Sequence, residues 1–181
     1  FNSKLNIYIR ASAGTGKTYN ALNIGKEYNH THFIQFHAET TYSDFVEGIR
    51  PKLNDSNLTY ESTKGELVKA IETALDNPNE RVLLIIDEIN RANLANVLGP
   101  VFYLFEDQAG ERKVKLNVAD KELDQLPKNL DVIATMNTAD RSLAVVDFAL
   151  RRRFAWYTIR PQEINADEGH EFHKDLFDRF C

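Results

Sequence analysis

Apolar residues recur along this chain at two spacings. Short runs rich in aliphatic and aromatic residues read as strands: Leu5-Asn6-Ile7-Tyr8-Ile9, Ile34-Gln35-Phe36, Val82-Leu83-Leu84-Ile85-Ile86, Val132-Ile133-Ala134-Thr135 and Ala155 to Ile159. Val82 to Ile86 shows no polar alternation, as expected of a strand covered on both faces in a parallel sheet. Between these runs the period lengthens toward that of a helix. Lys17 to Tyr28 is helix-like. Glu66 to Asp76 places Leu67, Ile71, Ala74 and Leu75 on one face and is stopped by Asn77-Pro78-Asn79. Tyr42 to Ile49 has a short amphipathic pattern ended by Pro51, with Tyr42, Phe45 and Ile49 expected to dock it on the sheet. Leu94 to Glu106 has a helical period interrupted by Gly99-Pro100, which predicts a kink or break. Asp147 to Arg153 is again helical. Asn54 to Thr63 reads as a polar loop, and Lys113 to Val118 alternates like an exposed hairpin arm. Strands alternating with helices predict an α/β sheet with helices on both faces.

The chemistry gathers at the ends of these strands. After the first comes Ala11-Ser12-Ala13-Gly14-Thr15-Gly16-Lys17-Thr18, a phosphate-binding loop in its required strand–loop–helix context. Backbone N–H groups from Ser12 to Gly16 would surround phosphate, Lys17 would meet the outer phosphates, and Thr18 would give Mg²⁺ a hydroxyl. Ala11 stands where the pattern usually has its first glycine. If that position needs a left-handed backbone, alanine costs about 1–2 kcal/mol there.

Asp87-Glu88 follows the buried run. Ligands in open α/β sheets sit at the carboxyl ends of strands, so this pair is expected at the same edge as Lys17 and Thr18. Asp87 suits the Mg²⁺ shell, and Glu88 suits a base for an attacking water. Asn137 ends a third strand, where it would meet the γ-phosphate or the water; an Asn/Thr/Asp turn with local backbone bonds is the plainer reading. Arg151-Arg152-Arg153 reads on its own as a helix end balancing its dipole. A nucleic-acid patch and an arginine finger directed at a neighbouring subunit's γ-phosphate are the other two readings.

Composition adds bounds. The 181 residues are 43% hydrophobic and 27% charged, with a formal charge of −5, which is ordinary for one globular domain and gives no general attraction to nucleic acid. The lone Cys181 allows no internal disulfide, in keeping with a reducing, cytoplasmic setting. No apolar run is long enough for a membrane helix. The chain opens on Phe1 and meets its first strand almost at once, as expected of a piece of a longer protein. His30 with His32 and His170 with His173 lack the accompanying ligands of a metal site. His37 reads as a packed or capping residue. Phe102, Leu104 and Phe105 read as core, and Trp156 and Tyr157 as core or sheet-edge packing.

Leu84-Ile85-Ile86-Asp87-Glu88-Ile89-Asn90-Arg91-Ala92-Asn93 resembles the Walker B segment of AAA+ ATPases of the MoxR/dynein-related branch. Met136-Asn137-Thr138-Ala139-Asp140-Arg141-Ser142-Leu143-Ala144 resembles the signature of McrB-type proteins, as do Asp147-Phe148-Ala149-Leu150-Arg151-Arg152-Arg153-Phe154 and Gln35-Phe36-His37 followed by Tyr42 to Pro51. The resemblance implies a P-loop NTPase with an AAA+ core over residues 1–160, a parallel sheet ordered 5-1-4-3-2, and the incomplete start of a linker and helical lid over 161–181. It implies Mg²⁺-dependent hydrolysis of ATP, the AAA+ default, or of GTP, as in McrB-type motors. Asn137 becomes the sensor 1 residue, and Arg152 or Arg153 the arginine finger. Arg91, Asp140 and Arg141 would lie at a subunit interface in trans. The implied partners are further copies in a ring, usually hexameric, a McrC-like nuclease subunit, and DNA held by domains outside this piece. A MoxR-like remodelling ATPase and a nucleotide-binding module without turnover are the alternatives. Pro100 departs from the family, whose helix normally continues there.

Overall fold

The structure, a computed structural model, describes residues 6–12, 14–54, 57–106, 114–116, 121–137 and 153–159. Its centre is a five-stranded sheet of β1 (Asn6–Ala11), β2 (His30–Gln35), β5 (Val82–Asp87), β8 (Leu130–Asn137) and β9 (Ala155–Thr158), ordered β2-β5-β8-β1-β9. Every pairing within it is parallel. Counting only these strands along the chain, the order is the expected 5-1-4-3-2 read from one edge.

The solid apolar run of β5 is explained by what covers it. Leu83 and Ile85 face Ile9, Ala21 and Ile133, with Ile24 and Tyr28 closing over them. Val82, Leu84 and Ile86 face the larger core on the other side, with Leu67, Val68, Ala70, Ile71 and Ala74. Burying each such aliphatic side chain contributes about 1.5–3 kcal/mol. Helix α3 (Glu66–Asp76) has the bounds its apolar spacing predicts. Helix α1 (Lys17–Gly25) ends before the expected Tyr28. Its last residue packs closely, and a Cβ on Gly25 would lie 3.1 Å from the Thr31 side chain. The strand expected at Ile34 to Phe36 starts earlier, at His30, as a half-exposed edge strand.

Two expectations fail together. Tyr42 to Ile49 is not one helix: α2 covers only Tyr42–Phe45, and the chain then enters β3 (Glu47–Asn54). The polar stretch expected to be a loop is its antiparallel partner, β4 (Asn57–Lys64). Gly65 makes this return possible: it lies so close to Phe45 that a Cβ would sit 2.3 Å from that residue's carbonyl carbon. Ile49, expected to dock on the sheet, is instead 71% exposed on the hairpin, while Phe45 is fully buried as expected.

The break at Gly99-Pro100 is present. Helix α4 (Leu94–Leu98) gives way to a 3₁₀ segment, Gly99–Phe105, where Pro100 has no N–H to lose at its first turn. Leu104 and Phe105 are core, as expected, and Phe102 packs at its margin. The remaining pair, β6 (Val114–Leu116) and β7 (Lys121–Leu123), is antiparallel, and Leu116 is buried rather than exposed. Among the described residues no helix is long and apolar enough to cross a membrane. The helix expected over residues 147–153 and the lid segment over 161–181 lie outside the described residues, apart from Arg153.

Candidate active site

Register brings the chemistry to one edge. Ala11 pairs with Asn137, Gln35 with Asp87, and Ile86 with Ala134, so Gln35, Asp87 and Thr135 stand in one row. The phosphate loop rises beside them. Gly14 and Gly16 hold φ of 79° and 75°, in the left-handed region open to glycine. A Cβ on Gly14 would meet nothing within 4 Å, so the loop's mouth is open. No side chain caps α1, whose first N–H groups turn into the loop, a favourable place for an anion. Ala11 ends β1 in extended backbone, and among the described residues only Glu88 is a non-glycine with positive φ. The missing first glycine therefore costs nothing here.

Lys17, 6% exposed, donates from Nζ to the Ser12 carbonyl at 2.8 Å, and Thr15 Oγ1 donates to the same oxygen at 2.9 Å. Thr18 Oγ1 donates to Asp87 Oδ1 at 2.8 Å, which joins the loop to the buried strand's end. Asp87 is 3% exposed. Thr135 Oγ1 donates to the same Oδ1 at 2.6 Å, and Gln35 Nε2 to Oδ2 at 3.3 Å. All three donors are neutral, so the carboxylate is oriented while its charge is left over. An oxygen set of hydroxyl and carboxylate this close fits a hard divalent cation, completed by phosphate and water. The open glycine loop and uncapped helix fit a polyphosphate.

Glu88 follows with φ 54° and ψ 39°, a left-handed conformation that costs a non-glycine residue about 1–3 kcal/mol. Its N–H donates to Thr135 Oγ1 at 3.1 Å, so Thr135 touches both carboxylate residues. Its side chain, 18% exposed, accepts from Arg91 Nε at 2.9 Å, placing Arg91 in this edge cluster. Asn137 stands half-buried at the end of β8, and its carbonyl accepts from the buried Asn90 Nδ2 at 3.4 Å.

Lys17, Thr18, Asp87, Glu88, Arg91 and Asn137 thus share one edge. Arg153 does not. It lies beside Asn6 at the amino end of β1, about 17 Å from the loop by strand rise. Ala13, Asp140, Arg141 and Arg152 lie outside the described residues. Gln35, Thr135 and Asn90 received no role from sequence. The available signal was a polar residue closing an apolar run at the level of Asp87. His30 lies 2.6 Å from Glu80 and His32 bonds Thr73, and no metal-ligand cluster forms among the described residues.

Comparison with known proteins agrees with this geometry. Residues 12–154 match the AAA domain of the dynein-related subfamily. The chain is 39% identical over 168 residues to the type IV methyl-directed restriction enzyme EcoKMcrB subunit of Escherichia coli, covering 87% of this chain and 36% of that protein. It is 30% identical over 130 residues to the type II restriction enzyme BsuMI component YdiS of Bacillus subtilis, covering 65% of this chain and 36% of that one. The chain spans about a third of the length of these curated relatives. A crystal structure of a candidate ATPase from Cytophaga hutchinsonii shares the fold at TM-score 0.57 and 20% identity, over 91% of this chain and 43% of that one. With the phosphate loop, the paired acidic residues and the sheet order in place, this chain belongs to the dynein-related AAA domain family and is related to McrB.

Proposed function

We propose that this chain is the Mg²⁺-dependent NTP-hydrolysing core of a motor in a modification-dependent DNA restriction system. The observation that carries it is the buried Asp87 carboxylate, bonded to the Thr18 hydroxyl and oriented, among the described residues, by neutral donors. The restriction role is supported by the kinds of protein the chain is similar to.

Thr18 and Asp87 would hold Mg²⁺, and Lys17 with the N–H groups of residues 12–16 would hold the phosphates. Mg²⁺ held there would supply positive charge to offset that of the phosphates. Glu88 accepts the proton of the attacking water, and Asn137 orients that water against the γ-phosphate. An arginine of the triplet acts on the neighbouring subunit's nucleotide, with Arg91, Asp140 and Arg141 at the same boundary. Residues 1–160 form the α/β core, and 161–181 begin the linker to a lid. Assembly is a ring, hexameric by family habit, with a McrC-like nuclease subunit and with DNA held by other domains. ATP and GTP are both open to a site that grips phosphate.

The test is phosphate release by the full-length protein with Mg²⁺ and ATP or GTP, over a protein concentration series. Turnover per subunit rises with assembly, and the preferred base is read directly. Glu88→Gln keeps nucleotide binding and loses about 10²–10⁴ in rate. Equal turnover by wild type and Glu88→Gln would sink the assignment.

A further inference from the structure

We propose that Asn90 is a positioning residue for hydrolysis, fixing how far apart Glu88 and Asn137 stand. This rests on the hydrolysis reading above and deepens it at the same site. The backbone pairing of β5 with β8 runs from Val82 opposite Leu130 to Ile86 opposite Ala134 and stops there. Beyond that point the two strands part. β8 continues to Asn137 beside β1, where it pairs with Ala11. The other chain leaves Asp87 through the left-handed Glu88 into a 3₁₀ turn, Ile89–Arg91. The base and the residue that orients its water therefore stand on two strand ends that their own ladder no longer joins. Side chains take over. Thr135 Oγ1 accepts from the Glu88 N–H at 3.1 Å, and further on the Asn137 carbonyl accepts from Asn90 Nδ2 at 3.4 Å. The turn after Asp87 is thus laced to the end of β8 at both Thr135 and Asn137.

Asn90 is 7% exposed, and its Oδ1 is buried with no hydrogen-bond partner among the described residues. A buried amide oxygen left unpaired costs about 1–3 kcal/mol. An aliphatic side chain at this depth would avoid that cost, as the buried neighbours Ile89 and Ala92 do, so packing is not what Asn90 supplies. What an aliphatic residue lacks is the Nδ2 donor, and that donor is used on the backbone of Asn137. The bond holds the peptide that carries the Asn137 side chain, so Asn90 acts on the water through Asn137. Glu88 and Asn137 must reach the same water at once, and a misplacement of about 1 Å between reacting groups costs about a hundredfold in rate.

The experiment measures phosphate release by the full-length protein. Asn90→Ala lowers kcat about a hundredfold and leaves the KM for nucleotide within about twofold, because the phosphate loop is untouched. Asn90→Asp keeps the size but sets an oxygen against the Asn137 carbonyl, and it is at least as slow. In an Asn137→Ala background, Asn90→Ala costs no more than about twofold further, since both changes remove the same act. A full additional loss there would overturn the proposal, as would wild-type kcat in Asn90→Ala. A readout without nucleotide separates positioning from general support of the fold. In Asn90→Ala, deuterium uptake rises severalfold over residues 135–137 and is unchanged over residues 82–86. Uptake that rises equally in both stretches makes Asn90 a support of the fold alone, and the proposal falls; it falls too if neither stretch changes. Absence of turnover in wild type removes the hydrolysis reading and this inference with it, whereas an active wild type with equally active Asn90 variants removes this inference alone.

Discussion

Two buried aspartates sit at opposite edges of the same sheet and are satisfied in opposite ways. Asp131, near the start of β8, accepts from the Tyr28 hydroxyl at 2.8 Å and from Arg81 at 2.7 Å, while the Arg81 guanidinium covers the Tyr28 ring at 4.3 Å. Its charge is matched within the fold. Asp87, at the end of β5, accepts among the described residues from Thr18, Thr135 and Gln35. Among the described residues no cation neutralises it. One edge is closed electrostatically; the other is prepared for a positive charge that arrives with its ligand. Burial and hydrogen bonding alone would rank the two carboxylates alike, and only the charge of their partners separates structure from function.

That contrast can be broken from either side. The largest effect is expected from Asp87→Asn. It keeps an oxygen to accept from Thr18 and Thr135 but removes the charge, so Mg²⁺-dependent kcat falls about a thousandfold, the worth of several kcal/mol of metal assistance. The melting temperature barely moves or rises. A fall in stability matching that of Asp131→Asn would erase the distinction. Thr135→Val takes one donor from Asp87 and the acceptor from the Glu88 N–H at once. It costs about 1–3 kcal/mol in a urea melt and reduces kcat severalfold, seen in the same protein by phosphate release.

Asp131→Asn is the mirror experiment. It weakens the Arg81 pair, which is half in water, and costs about 1–2 kcal/mol with turnover per folded subunit unchanged. The smallest effect concerns pH. Burial first, then the bond to Asp131, raises the Tyr28 phenol above its ordinary value of 10.0. The folded state therefore holds that proton more tightly than the unfolded chain, so this stabilisation is full below pH 10 and fades as pH rises beyond it. Urea melts from pH 8.5 to 11 should fall more gently for Tyr28→Phe than for wild type (roughly the span of an unperturbed tyrosine).

Sequence reading succeeded where one signal dominated. The β5 run is apolar throughout because two helical layers press on it, and α3 has a single apolar face, so period alone located both. The phosphate loop and Asp87-Glu88 were legible because their chemistry demands specific residues at fixed spacing. The β3–β4 hairpin was missed because neither face packs into the core. Its alternation carries no burial signal, and Pro51 within β3 reads as a helix stop. The roles of Gln35, Thr135 and Asn90 were invisible for another reason. Each depends on the register between strands far apart in the chain, and no local pattern encodes that Thr135 lies level with Asp87. The contacts of Arg153 are illegible for the same cause, since they join residues 6, 106 and 153.

The placement of β5 has a consequence in time as well as in space. It lies between β2 and β8 with every residue buried, so its amides should exchange with solvent only when the whole domain opens. The two carboxylates hang from the end of a strand buried at every residue, whereas Gly14 and Gly16 lie in a loop outside it. Deuterium should therefore enter the phosphate loop in moments and reach Ile85 last, and a protease able to cut near Glu88 would be reporting global unfolding rather than the breathing of a site.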